Sequence, residues 1–424
     1  MTLFIFKSNA RGMQYGIGTY IRELTEALLL NTNVKFYIVT YRNNECKEFS
    51  IETISSRYFK INIPSPKQSS SQNNQFEKRY ASAVVRLLSD FIPQNGNVIF
   101  QMNYLDDLSI ANKLKEKYKY PVISIVHFAQ WQQLFDGNRK KLIRLNIDQP
   151  SNNIEFTLSK EKEFYQVSDH IVSVTRYMKD FIINDYGINP ETITVIPNGL
   201  DYCKYNTISK DELNSLKQRL GFGKDEIIIL FSGRIDPCKW IFYLLDAFEV
   251  ACKHNRNLKL VLLGQGNIQD CQKRLQSSFG KVIYTGFLPK EFVTSFYQVA
   301  DIGIVPSIYD HCPYSVLEMM ANKIPLIVSR ISGLDEILDD SQCLFVNPVI
   351  SEEGDISFNI NELSDAILAM ARDNTLRDEL VVNSFNNLSK RFAASRMAEE
   401  MNNLFHTLIN SNKMTLEYEK NERR

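Results

Sequence analysis

The sequence predicts an α/β protein of two domains, each built on a parallel sheet. Three observations carry that prediction. Residues 301–329 read as strand, loop, helix and strand: the apolar run Ile302 to Val305 is closed by Pro306, Pro313 stands where a helix can begin, Tyr314 to Ala321 favours its continuation, and Pro325 leads into a second apolar run, Leu326 to Val328. Short unbroken apolar runs of this kind suit strands covered on both faces. The pattern recurs along the chain, with further apolar runs ending in loops that carry glycines, cations or acids. Finally, 424 residues at 44% hydrophobic content are enough for two cores, at ~100–200 residues per domain.

Composition narrows the function classes. Lys plus Arg and Asp plus Glu are 49 each, so the formal charge is zero and the basic excess usual for a nucleic-acid binder is missing. Seven scattered cysteines form no C-x-x-C pair and no zinc spacing, which fits a reducing, cytoplasmic setting. The opening M-T-L-F-I-F-K is too short an apolar run for a signal peptide, and no later run approaches ~18 apolar residues. The expectation is a soluble protein.

Leu3 to Phe6 reads as the first strand, R-G-M-Q-Y-G-I-G-T-Y follows, and Thr19 to Leu30 shows helical spacing through Ile21, Leu24, Ala27 and Leu28. Gly16 and Gly18 would let the backbone of a strand-to-helix loop approach a ligand, although G-x-G without a third glycine is equally a plain turn. Lys35 to Thr40 is a second strand, and the polar stretch Pro64 to Gln75 reads as a mobile surface loop with nothing catalytic in it. Val98 to Gln101 and Val122 to Val126 are strands, the latter ending in His127. A histidine there stands at ligand height, and position alone leaves a functional and a structural role open. Next come Trp131, Phe135, Arg139, Lys140, Lys141 and Arg144, which read either as an amphipathic acceptor or membrane-facing element or as a solvated charged helix face. Ile171 to Val174 and Ile193 to Ile196 complete this half, which Pro197-Asn198-Gly199 ends.

In the second half, Asp201 to Lys224 is helix-like, and the strand Ile227 to Phe231 runs into S-G-R-I-D-P-C-K, which puts Arg234 and Lys239 in one loop where a diphosphate would meet them. Leu258 to Leu263 ends in Gly264-Gln265-Gly266, and Val282 to Thr285 in Gly286-Phe287. Asp310 and Glu318 flank the loop and helix start after Ile302 to Val305. In an open parallel sheet that point lies at the carboxyl ends of the strands, where ligands bind, and a helix start offers free N–H groups to phosphate. Ile360 to Leu408 has helical periodicity, and Lys413 to Arg424 is a mostly charged tail expected to be disordered.

The chain resembles the retaining glycosyltransferases of family 4 over nearly its whole length, most strongly from Val195 to Ser329. The family's acid pair, two Glu separated by seven residues, stands here as Asp310 and Glu318; its phosphate pair matches Arg234 and Lys239; its N-G-V-D turn matches Asn198-Gly199-Leu200-Asp201; its glycine loop matches Gly16 to Gly18; its histidine matches His127. Two residues depart from the pattern: Asp310 is one methylene shorter than the usual Glu, and Pro313 removes one N–H from the loop.

The resemblance implies the GT-B fold: an acceptor-side Rossmann-like domain over 1–200, a donor domain over 201–395 facing it across a cleft, a helix over 396–412 packing back on the first domain, and the tail 413–424. It implies transfer of a sugar from a nucleotide-diphosphate sugar to a glycan, lipid-linked or protein/peptide hydroxyl with retention of configuration. It implies as well that no metal or other cofactor takes part. His127, Arg234, Lys239 and Asp310 are then the catalytic set, and Gly16, Gly18, Asn198, Gly264, Gly266, Phe287, Tyr314, Ser315 and Glu318 the donor-binding set. Glu318 suits the vicinal hydroxyls of a ribose, since a carboxylate accepts two hydrogen bonds, and Asp310 suits hydroxyls of the donor sugar. The expected location is the cytoplasm, with peripheral contact at the inner face of a membrane through the first domain as a further reading. A GT-B nucleotide-sugar 2-epimerase and a non-catalytic partner subunit are the alternatives.

Overall fold

The computed structural model describes residues 1–8, 16–66, 74–206, 208–236 and 239–422. Two compact units divide the chain. The first comprises the described residues of 1–130 and 394–424 together with Asn146–Gly199, and the second Trp131–Leu145 with the described residues of 200–393. The segment Trp131–Leu145, in the first domain by sequence order, therefore packs with the second unit.

Among the described residues the first unit holds an eight-stranded sheet: β1 (Thr2–Ser8), β2 (Lys35–Asn43), β3 (Ser50–Ser55), β4 (Tyr58–Pro64), β5 (Val98–Met102), β6 (Val122–Val126), β7 (His170–Ser173) and β8 (Ile193–Val195). Their order is β3-β4-β2-β1-β5-β6-β7-β8, parallel except for the β3–β4 pair. β5 and β6 are buried at every position, which is why they read as continuous apolar runs rather than as alternating ones.

The glycine loop needs correcting. Gly16 and Gly18 lie in the first turn of the helix Gly16–Asn31, and the rest of that loop, 11–15, falls outside the described residues. Most of the loop expected over 64–75 also falls outside them, and Asn74 already opens the helix Asn74–Leu87.

The last helix, Ala394–Glu422, belongs to the first unit and is longer than the sequence suggests. Met397, Met401, Phe405 and Ile409 recur at four-residue intervals and are all buried, giving it one apolar stripe. Tyr20 Oη donates to Met401 Sδ at 4.0 Å, Gly199 N to Met397 Sδ at 3.2 Å, and Asn412 Nδ2 to Lys119 O at 2.7 Å. The tail expected to be disordered continues as helix to Glu422, because its Lys, Glu and Asn residues do nothing to stop a helix already nucleated upstream.

The second unit is organised on six parallel strands: β9 (Ile227–Ser232), β10 (Leu258–Leu263), β11 (Val282–Gly286), β12 (Ile302–Val305), β13 (Leu326–Ser329) and β14 (Cys343–Val346), in the order β11-β10-β9-β12-β13-β14. The chain runs outward from β9 to β10 and β11, then returns to lay β12 on the other side of β9. That reversal opens a crevice at the carboxyl ends of β9 and β12, the place where open α/β sheets take ligands. A hairpin, β15 (Pro348–Ile350) with β16 (Ile356–Phe358), and the helices Ile360–Arg372 and Asn374–Arg391 follow.

Trp131–Leu145 is fixed to this unit by its own hydrogen bonds. Asn138 Nδ2 donates to Asp355 Oδ1 at 2.9 Å and to Glu353 O at 3.1 Å, Lys141 Nζ pairs with Asp355 Oδ1 at 3.1 Å, and Lys140 Nζ donates to Glu352 O. Two of the cations that suggested a membrane-facing or solvated face thus bind the 352–355 turn.

Candidate active site

β9 ends at Ser232 and the chain turns through Gly233, Arg234, Ile235 and Asp236 alongside the end of β10, with Gly233 N donating to Leu263 O at 3.0 Å and Ile235 N to Gln265 O at 2.8 Å. Gly264 and Gly266 are required by that approach. A Cβ on Gly264 would lie 1.9 Å from Gly233 O, and one on Gly266 1.8 Å from Ile235 O. Both were assigned to the donor; their immediate physical work is to let the Arg234 loop lie against β10.

Arg234 Nη1 pairs with Asp236 Oδ2 at 3.1 Å, and Lys239 N donates to Asp236 Oδ1 at 3.2 Å, so Asp236 shapes the loop that carries both cations. Pro237 and Cys238 lie outside the described residues. Trp240 then adopts φ +52, a left-handed conformation costly for a non-glycine residue. Its ring is held by stacking on Tyr243, centroids 4.2 Å apart, and by the edge contact with Phe358 at 4.9 Å.

On the other side of the crevice, the loop after β12 carries Asp310. Its Oδ2 receives Lys239 Nζ from the first loop and Ser307 Oγ at 3.1 Å. Cys312 follows at φ +50, and Pro313, at φ −68 and ψ 136, caps the helix Tyr314–Ala321. The missing proline N–H therefore falls before the first helical residue, and the N–H groups of Tyr314 and Ser315 open the helix. Tyr314 is buried and Ser315 half-buried. Glu318, one turn on, accepts from Tyr297 Oη at 2.9 Å. Phe287, just beyond β11, is 48% exposed.

Two further assigned residues, His127 and Asn198, belong to the first unit. His127 follows β6, with the ring of Tyr20 edge-on at 4.7 Å. Its Nε2 is buried and has no partner among the described residues. Burial pushes its pKa down to about 3, so the imidazole is neutral at physiological pH and acts as a hydrogen-bonding group rather than a cation. Asn198 is buried beside the last helix, where Arg396 Nη2 donates to Pro197 O at 2.6 Å and to Asn198 O at 3.5 Å.

Three participants had no signal in the sequence. Tyr297 reaches Glu318 from a different helix, Lys290–Val299. Ser307 is a common loop residue until its hydroxyl is seen on Asp310. His311 Nε2 meets Gln132 Oε1 at 2.7 Å, a pair separated by 179 positions.

Comparison with known proteins agrees with this geometry. Residues 15–202 match the family described as Glycosyltransferase Family 4, and residues 214–386 match Glycosyl transferases group 1. An uncharacterized glycosyltransferase of Methanocaldococcus jannaschii is 24% identical over 66% of this chain and 74% of its own length. The mannosylfructose-phosphate synthase of Agrobacterium fabrum is 27% identical over 62% of this chain, which spans 61% of that protein. In structure, the sucrose-phosphate synthase of Thermosynechococcus elongatus superposes with a TM-score of 0.76 at 17% identity, over 97% of this chain and 100% of its own. HepE of Anabaena, solved with UDP and glucose, gives 0.71 at 13% identity, over 96% and 100%. The fold is GT-B, and the chain, an enzyme of the transferase class, belongs to the group 1 glycosyltransferases of family 4.

Proposed function

We propose that the protein transfers a sugar from a nucleoside-diphosphate sugar to a hydroxyl acceptor, with retention of configuration and without a metal. The observation that carries this reading is the meeting of two loops over the β9–β12 crevice, one bearing Arg234 and Lys239 and the other Asp310, with Glu318 on the helix that follows. Cations, acids and a helix N-terminus at one strand-end crevice suit a ligand that joins hydroxyl groups to a diphosphate. The complex of Anabaena HepE with UDP-glucose supports the same ligand class.

In this reading Glu318 binds the ribose hydroxyls, and Tyr314 and Ser315 offer N–H groups to phosphate. Arg234 and Lys239 offset the charge that develops on the diphosphate, a role a metal plays elsewhere. Asp310 holds hydroxyls of the transferred sugar, and the neutral His127 helps position that sugar. The bond between the anomeric carbon and the diphosphate oxygen breaks as the acceptor oxygen bonds to that carbon from the same face, and the acceptor proton passes to the leaving diphosphate. The acceptor is a hydroxyl of a glycan, a lipid carrier or a protein.

The location proposed is cytoplasmic, with peripheral membrane contact through the first domain as a further part of the reading. No helix among the described residues is long and apolar enough to cross a membrane.

Thermal-shift measurements with UDP, GDP and ADP, followed by nucleoside-diphosphate release from the matching sugar nucleotides, test the reading. One nucleotide should stabilise the chain by mass action and its sugar derivative should be turned over. Absence of both would refute it.

A further inference from the structure

The loop that presents Asp310 is gripped from two sides. On one side is Gly333, whose backbone runs so close that a Cβ there would lie 2.1 Å from Asp310 O and 3.0 Å from His311 Nδ1. On the other side is Gln132, in the short helix Gln130–Leu134, whose Oε1 meets His311 Nε2 at 2.7 Å. Gln132 and His311 are both buried, so neither has water as an alternative partner and the bond is costly to leave unmade. With an amide oxygen facing it, Nε2 carries the ring proton. The contact therefore needs a proton on Nε2, which the Nε2–H tautomer supplies when the ring is neutral.

Charge around the ring is sparse and opposed. Asp310, its neighbour, favours a cationic imidazole; Lys239, bound to that carboxylate, and burial disfavour it; Asp335, exposed, accepts from Gly333 N at 3.1 Å on the far side. Burial dominates and pushes the His311 pKa down to about 4. The ring thus remains neutral across physiological pH, and Gln132 sees a constant donor.

We propose that Gln132, through His311, positions the Asp310 loop, so that recognition of the transferred sugar depends on a residue of the 131–145 segment. The chain carries this segment out of the first unit immediately after Gln130 and sets it on the second. Further along the segment Asn138, Lys140 and Lys141 bind the 352–355 turn, whereas Gln132 bonds to His311, the residue next to Asp310. The proposal rests on the assignment of Asp310 to the donor sugar. It predicts that losing the tie affects the sugar half of the donor and spares the ribose end, because Glu318 is held by Tyr297 from a different helix.

Two measurements on the full chain test it. In the first, protein labelled with 15N-histidine is titrated by NMR; the chain has five histidines, and His311 is assigned by its loss in His311→Asn. Wild type should show a neutral Nε2–H imidazole with a midpoint near pH 4, and Gln132→Glu should raise that midpoint by ~1–2 units, as a close carboxylate does. An unmoved midpoint overturns the pairing, whatever the chain's activity.

In the second, calorimetry compares UDP with UDP-glucose, GDP with GDP-mannose and ADP with ADP-glucose. Gln132→Ala should weaken the sugar nucleotide that wild type binds by ~10-fold with its nucleoside diphosphate unchanged, and Gln132→Glu, which keeps an acceptor, should restore the ratio at pH 8. Equal losses on both members of the pair, or no loss on either, overturn the positioning role. A wild type that binds none of these probes refutes the glycosyl-transfer reading and the sugar-recognition half of the proposal with it, while the titration still decides the pairing.

Discussion

Lys239 Nζ donates to Asp310 Oδ2, joining the loop after β9 to the loop after β12 through two side chains that are mostly withdrawn from solvent. The pair satisfies both charges. In the glycosyl-transfer reading, a donor diphosphate would compete with Asp310 for the ammonium and release the carboxylate to the hydroxyls of the sugar.

Removing either cation should depress turnover far more than folding. Arg234→Ala and Lys239→Ala are expected to lower kcat by ~10²–10³, the loss typical when a preorganised donor to developing charge is deleted. EDTA should leave the wild-type rate largely intact. Initial rates with and without chelator, with circular dichroism as the folding control, decide it; abolition by EDTA with rescue by Mg²⁺ or Mn²⁺ would sink the metal-free mechanism.

Asp310→Glu should be tolerated and Asp310→Asn should not. The longer acid keeps the charge that pairs with Lys239 and receives Ser307, whereas the amide leaves Lys239 without a counter-charge at 20% exposure. Turnover of the three forms is the measurement, and an Asn variant as active as wild type removes the charge at 310 from the mechanism.

Glu318→Ala should weaken nucleoside-diphosphate binding by ~1–3 kcal/mol, the range for hydrogen bonds to a charged group. Tyr297→Phe removes only the hydroxyl that orients Glu318 from 2.9 Å, and should cost about 1 kcal/mol or less. Calorimetry with the free diphosphate ranks the two; unchanged affinity in a folded Glu318→Ala protein excludes the ribose role.

Gly264→Ala and Gly266→Ala should destabilise the second unit by more than ~1 kcal/mol, since the new methyl meets a carbonyl oxygen of another strand end rather than a flexible side chain. Denaturant midpoints report this directly. Variants as stable as wild type would show that the Arg234 loop is not pressed against β10.

Two buried carboxyls make stability depend on pH. Asp107 receives Tyr41 Oη and the N–H groups of Asn103 and Tyr104, and Glu161 receives Tyr186 Oη at 2.5 Å and Gln130 N at 2.9 Å, yet burial prevails and pushes each pKa up to about 7. Between their ordinary values near pH 4 and this raised value the folded chain holds more protons than the unfolded one. Stability contributed by these groups is therefore present at low pH and lost as pH rises through that window, with a slope of up to ~1.4 kcal/mol per unit for each carboxyl. Asp107→Asn, nearly isosteric, should flatten the melting temperature between pH 4 and 7; an unaltered profile excludes Asp107 as its source.

The strand, helix and strand of 302–329 were legible residue by residue, because an apolar run closed by Pro306, a helix start at Pro313 and a second run after Pro325 are signals read within a few positions of the chain. So were Arg234 and Lys239 on one loop, and Glu318 one helical turn beyond Tyr314. The amino-acid order by itself thus determined the class of fold, the family and most of the chemical groups of the candidate site. Tertiary structure alone decided which of them meet. Nothing near Lys239 points to Asp310, 71 positions on, until β12 is laid beside β9; nothing near Gln132 points to His311; and the membership of Trp131–Leu145 in the second unit depends on Asp355, more than two hundred residues later. Local spacing encodes elements, since a helix or strand is set by neighbours within a turn or a pleat. Strand order and loop docking are set by which distant surfaces bury each other best, and that comparison is made only when the whole chain has folded.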